Sequence, residues 1–255
     1  MPDLVKLVAM LVVAACAQPQ PLPELEGGET GIVTAVTGPL SLVVETGEGP
    51  LEVRLAELDV PAAIAGAQSG WLQSHLSAEE VRLEYDGQRR DRYDRALAQA
   101  YRVGDGEWLQ AAMISAGEAR VLSHKSNRQV APALLELETI ARQAGLGIWS
   151  EPGNRVRDTH PDALAQDIGS VQLVEGRVAE VTRLRSGRTY INFGADYRTD
   201  FTVVVEARDE AAFEEAGRSL ADLSGQRIRV RGWLEAENGP LMRIDHPERI
   251  EMLED

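Results

Sequence analysis

From Thr30 onward the chain is written in short runs of alternating apolar and polar residues, GIVTAV, LSLVVET and LEVRLAEL, separated by Gly and Pro. Successive side chains of a strand point to opposite faces. Runs of this kind, cut at short intervals by turn residues, therefore specify an antiparallel meander with one buried face. Helical spacing follows over 67–76, then a strand in EEVRLEYD, then a charged loop, GQRRDRYDR, that opens into another strand. DGEWLQAAMISAGEARV carries Trp108, Met113 and Ile114 at helical spacing, and APALLELETIARQAGLGIW begins with Pro and stops at Gly, as a helix should. Strands first and helices after give an α+β fold that is mainly β.

The stretch SEPGNRVRDTHPDALAQDIG, which starts at Ser150, is rich in Pro, Gly and Asp without periodicity, and residues 152–170 read as an interdomain linker. Beyond them come three strands, an amphipathic helix in DEAAFEEAGRSLADL and two further strands, QRIRVRGWLE and GPLMRID. That is the chain order of an OB-fold, a small Greek-key barrel, which assigns 171–255 to a second domain. No repeat between the two halves is evident at the residue level.

Two domains suit a chain of 255 residues in which 44% are hydrophobic and 26% charged. The formal net charge of -15 weighs against a surface built for the phosphate backbone, whose binding draws on clustered Lys and Arg. Neither half hides a basic surplus: residues 27–151 carry eleven bases against eighteen acids, and residues 152–255 fourteen against twenty.

The one cysteine, Cys16, closes LVAMLVVAAC, where Lys6 precedes an apolar run of about nine residues, too short to span a bilayer and suited to a signal h-region. Val13-Ala14-Ala15-Cys16 resembles a bacterial lipobox, which implies a signal peptide over 1–16 and lipidation of Cys16. The Pro- and Gln-rich stretch that follows makes residues 17–29 an extended tether. Ala17 stands where many lipoproteins retained at the inner membrane have aspartate, so the resemblance implies the cell envelope, at the periplasmic face of the outer membrane.

Three segments, VRLAELDVPA, DRYDRALAQAY and LLELETIARQAGLGIW, stand in an order and at spacings that resemble the staphylococcal nuclease, or thermonuclease, family over about residues 31–149. The resemblance implies an OB-type five-stranded barrel with added helices over 30–151, followed by the second OB-like barrel. It also implies a chemistry, the calcium-dependent hydrolysis of DNA or RNA. Two aspartates and a backbone carbonyl hold calcium, which offsets phosphate charge. A glutamate acts as general base on water, and two arginines clamp the phosphate. Carried over residue by residue, the arginines are Arg54 and Arg95, the second aspartate is Asp59, and Val60 offers the carbonyl.

The departures are as specific as the matches. TGPL replaces the family's D-G-D-T turn and puts Pro39 at the first calcium aspartate, and Ala62 stands at the general base of D-x-P-E. Calcium takes about six to eight oxygens, and loss of a general base costs on the order of 10² to 10⁴ in rate. Asp94 replaces the glycine of D-R-Y-G-R and puts a carboxylate beside Arg95. Three outcomes stay open. Another acid or hydroxyl among Thr37, Ser41, Glu45 and Glu57 restores the site; Arg54, Asp59 and Arg95 persist as an ion-paired cluster; or the cleft binds an anion without catalysis.

In the second domain SGRTYINFGADYRTDF interleaves Tyr190, Phe193, Tyr197 and Phe201 with Arg188 and Arg198. Stacked aromatics with basic residues are how OB-folds hold single strands, while the bland reading places Phe193 and Phe201 in the core. His75, His124, His160 and His246 show no metal-ligand spacing. The expectation is a lipid-anchored envelope protein with an inactive thermonuclease-like domain. It acts as an interaction module toward a protein or envelope ligand and needs no cofactor. The alternative is a calcium-dependent nuclease, with calcium as its cofactor and nucleic acid as its partner.

Overall fold

The computed structural model describes residues 22–254; the Cys16 segment lies outside them. The first domain runs β1 (Glu26–Gly38), β2 (Ser41–Thr46), β3 (Gly49–Leu55), β4 (Leu58–Asp59), α1 (Ala65–Leu76), β5 (Glu80–Tyr85), β6 (Ala96–Arg102), α2 (Leu109–Ser115), β7 (Arg120–Val121) and α3 (Ala131–Gln143). Strands β1, β2, β3, β6 and β5 close a barrel in that order. Its interior takes the apolar half of each alternating run: Leu42 and Val44, Val53 and Leu55, Val81 and Leu83 are all buried. β1 begins at Glu26, earlier than expected, so residues 26–29 are strand rather than tether. Two adjacent glycines look unlike a strand. Here the bare backbone of Gly28 lies under the Tyr85 ring, where a Cβ would come within 2.3 Å of Tyr85 Cε2.

The second domain begins inside the expected linker. α4 (Pro161–Leu164) sends Leu164 into the second core, and Arg157 pairs with Asp167 at 2.7 Å while its backbone bridges to Val174. There follow β8 (Val171–Arg177), β9 (Glu180–Arg183), β10 (Thr189–Asn192), β11 (Thr202–Val205), α5 (Glu210–Glu215), β12 (Arg227–Ala236), β13 (Pro240–Ile244) and β14 (Ile250–Met252). The helix is shorter than expected because Gly217 at φ 68° ends it in a left-handed turn. β9 pairs with β10, β10 with β11, β11 with β13, β13 with β12 and β12 with β8, and only Val178 and Ala179 part β8 from β9. The sheet curls so that its two ends, β8 and β9, are consecutive in the chain, which is the strand order of an OB-like barrel. Both barrels contain one parallel pair, β3 with β6 and β11 with β13, at the same step of the strand order. The halves thus repeat in topology, though not in residues.

Charges, more than apolar surface, join the barrels. On β12 Ile228 and Val230 face the second core, which turns Arg229 and Arg231 outward toward the first domain. Arg231 is fully buried there: Nη1 donates to Glu138 Oε2 and to the Val121 carbonyl, each at 2.8 Å, and Nη2 reaches Glu138 and Glu251. Glu138, on α3, also accepts from Val121 N–H at 2.7 Å and Arg142 at 2.9 Å. Burial alone would raise the Glu251 carboxyl, but Arg231, Arg229 and Arg142 hold it below its ordinary value. Around this cluster sit Arg128 with Glu248 at 2.8 Å, Lys125 with Asp209 at 2.5 Å, and a small apolar patch of Ala141, Ile148, Trp149 and Leu173.

Arg231→Met leaves Glu138 and Glu251 close together in a dry layer with one fewer guanidinium. The expected loss is about 3–5 kcal/mol, read as a fall in the urea midpoint, with part of it recovered when Glu138→Leu is added.

Candidate functional site

The corner between β3 and β4, the loop 88–95, residues 122–124 and the turn Pro247–Arg249 of the second domain enclose a cleft of about 480 Å³. Arg54 reaches it because Val53 and Leu55, on either side in β3, point into the barrel. Its Nη2 donates to the Leu58 carbonyl at 3.3 Å. Burial, and then the neighbouring charge of Arg95, hold the Arg54 guanidinium below its ordinary pKa. Arg95 donates to Asp91 Oδ2 from Nε at 2.8 Å and lies within 2.7 Å of it through Nη2. The carboxylate beside Arg95 is therefore Asp91, four residues earlier, and not Asp94. Asp94 is exposed and sits at φ 65°, the left-handed backbone that suits a glycine.

Asp59 does not face this cleft's arginines as a metal ligand would. β4 pairs with β7 so that Asp59 stands opposite Arg120, and Asp59 Oδ2 accepts from Arg120 Nη2 at 2.6 Å and Nε at 3.2 Å. Arg120 is 5% exposed and continues to the Val171 carbonyl at 3.2 Å, so the pair belongs to the domain junction. Arg54, Asp59 and Arg95 consequently do not pair with one another. Each has found another partner.

The acids and hydroxyls offered as replacements are placed by the same geometry. Glu57 adopts φ 63°, which turns the chain between β3 and β4, so Glu57 and Asp59 do not share a strand face. Glu57 lines the cleft at 5% exposure, with Oε1 accepting from Gln99 at 3.4 Å. Burial, then a hydrogen bond and the charge of the buried Asp86, push its carboxyl up to about 10. At neutral pH it is a neutral acid that already carries the proton a general base would have to take up. Ser41 stands opposite Arg54, and Thr37 is exposed in the last turn of β1. Glu45 lies opposite Pro50, four residues along β3 from Arg54, or about 13 Å of strand. Pro39 carries no side-chain oxygen, and Ala62 starts a short 3₁₀ turn. Among the described residues no three carboxylate, imidazole or thiol groups converge on a point. With Asp59 engaged by Arg120, the donor set does not fit a calcium ion.

The family model described as staphylococcal nuclease homologue matches residues 52–151. A thermonuclease from Staphylococcus intermedius is 27% identical over 131 residues, which span 48% of this chain and 77% of that protein. This chain carries a staphylococcal-nuclease-like domain. Its five-stranded barrel is the one that presents Arg54 and Arg95. Within the nuclease-like domain Asp91 was legible as an i, i+4 partner of Arg95, whereas Arg120 and the protonated state of Glu57 left no local signal. Arg249, half-buried from the second domain, lines the nuclease-like cleft and had no signal in sequence at all.

In the second barrel a further cleft, about 380 Å³, is lined by Tyr190, Tyr197, Leu184, Leu241, Glu180 and Glu237. The six residues singled out in sequence do not form one basic groove. Phe193 packs on Phe201, ring centroids 5.0 Å apart, against the core. Arg188 is held by Glu206 at 3.0 Å and by the Tyr190 hydroxyl at 3.3 Å. Arg198 lies over Tyr197 at 5.4 Å on an exposed turn.

Because the folded state holds Glu57 protonated and the unfolded chain does not, its contribution is complete below about pH 4.5 and falls as pH rises toward 10. Glu57→Gln should remove a component of the stability-versus-pH slope of up to about 1.4 kcal/mol per pH unit. Urea unfolding of both proteins between pH 6 and 9 measures it, the variant gaining on the parent as pH rises.

Proposed function

We propose that the nuclease-like cleft holds a phosphate-bearing ligand without hydrolysing it. The observation that carries this reading is the pairing of Asp59 with Arg120, which leaves guanidinium groups facing the cleft and takes away the one carboxylate the family pattern kept. Phosphoryl transfer needs a nucleophile activated by base or metal as well as electrostatic clamping. Arg54 and Arg95 supply the clamping; Glu57 is neutral, Ala62 lacks a carboxyl, and the remaining carboxylate of the cleft wall, Asp91, is taken up by Arg95 at 2.7 Å, so no acid is left free to serve water as a base. Such a site binds an anion and stops there.

The same proposal places the protein at the cell envelope, tethered through Cys16. Support comes from the apolar run after Lys6, the sequence Val13-Ala14-Ala15-Cys16 and the polar stretch behind it. No helix among the described residues is long and apolar enough to cross a membrane, and one acyl chain alone anchors only reversibly, so lipidation on more than one group suits stable residence. The acidic balance of both domains favours a compact phosphate compound over a long nucleic acid strand.

Purified protein should release no product from single-stranded DNA or RNA in millimolar calcium. Turnover that disappears in a folded Arg54→Ala variant would show the nuclease reading to be the right one. In cells, labelling with a palmitate analogue should be lost in Cys16→Ser; labelling that persists removes the lipid anchor from the account.

A further inference from the structure

Among the described residues Arg249 has no side-chain hydrogen-bond or ion-pair partner, although its neighbours Asp245, His246 and Glu248 are each engaged. The residue before it, Glu248, is gripped by Arg128, both carboxylate oxygens lying 2.8 Å from Nη1. His246, fully buried, takes a proton bond from Ser123 of the nuclease-like domain, Oγ to Nε2 at 2.8 Å, while its Nδ1 donates to Asp245 at 2.5 Å. The turn Pro247–Arg249 is thus fastened to the first domain on both sides, and Arg249 is held against the cleft. Burial lowers its pKa to about 10, which leaves it charged at neutral pH. Asp245 and Asp59 lie within electrostatic reach, and each is already bonded elsewhere, to His246 and to Arg120.

A half-buried guanidinium without a partner is costly, and a rigidly positioned one is a poor candidate for a surface charge that merely wanders. The cleft is lined by guanidiniums from both domains, Arg54 and Arg95 from the first and Arg249 from the second. Arg54 feels Arg95, Asp59 and Asp91; Arg249 feels Asp245, Arg231 and Asp59; neither arginine is among the groups that shift the other. Of the two acids that line the cleft, Asp91 is paired with Arg95 and Glu57 is neutral, so neither neutralises Arg249. One phosphate held by Arg54 and Arg95 does not by itself give Arg249 a counter-charge.

We infer that the second domain supplies Arg249 as a ligand-binding residue, and that the cleft takes a compound with two linked phosphate groups, one at Arg54 and Arg95 and the other at Arg249. This rests on the anion-binding reading of the nuclease-like cleft and adds the diphosphate class and the cross-domain residue to it.

The test is calorimetric titration of the full chain with inorganic pyrophosphate and with inorganic phosphate, for the parent, Arg249→Gln and Arg54→Gln. The parent should prefer pyrophosphate by about ten- to hundredfold, the range expected of one charge-assisted contact. Arg249→Gln should bring that preference close to unity, and its urea midpoint should match or exceed the parent's, since the side chain bonds to nothing. A lowered midpoint would assign Arg249 a structural task and overturn the inference. Equal affinity for the two anions in the parent, with Arg54→Gln weakening both, overturns the diphosphate inference and leaves the anion cleft standing. If neither anion binds and Arg54→Gln changes nothing, both fail. A 5′-hydroxyl oligothymidylate that outcompetes pyrophosphate would replace the diphosphate with a strand of phosphodiesters.

Discussion

Arg231, buried between the barrels with Glu138 and Glu251, sets the geometry on which everything else rests. Burying a guanidinium is expensive unless nearly every donor finds an acceptor, and a buried ion pair adds little over a well-packed apolar contact. What such a cluster does add is intolerance of alternatives. Rotate one barrel against the other and charges are left stranded in a dry layer. With α3 and β12 locked in this way, β14 and the turn before it have one position, and Arg249 arrives at the mouth of a cleft belonging to the other domain.

The cleft itself has changed sign relative to what its family resemblance implies. Two arginines keep their places, while the acids have been lost to Pro39 and Ala62, diverted to Arg120, or neutralised by burial in the case of Glu57. With the remaining wall carboxylate, Asp91, tied to Arg95, the cleft has no free acids to organise a calcium ion, but its guanidiniums can meet phosphate directly. On the proposed reading, the retained arginines and the lost carboxylates serve recognition of an anion.

Most of the fold was legible because it is written in local patterns. Alternation in β2, β3, β5 and β12 and the Gly and Pro breaks between them specify both barrels, and the order of elements specifies the second one's topology. The junction was not legible, because RIRVRGW reads equally well as a solvated strand face and Glu138 as an ordinary helix charge; their meeting spans 93 positions. For the site, Arg54 and Arg95 were readable from their motifs. The left-handed turn at Glu57, which breaks strand alternation, and the diversion of Asp59 to β7 depend on contacts that no local pattern encodes.

The measurement that bears most directly on a cleft run by guanidiniums alone is its dependence on metal. Pyrophosphate is titrated into the full chain with EDTA present throughout, at several salt concentrations. One-site binding that weakens as salt screens the charges is the predicted result. No binding in EDTA, with saturable binding appearing once calcium is supplied in excess, would contradict it and return Asp59 to the role of a metal ligand.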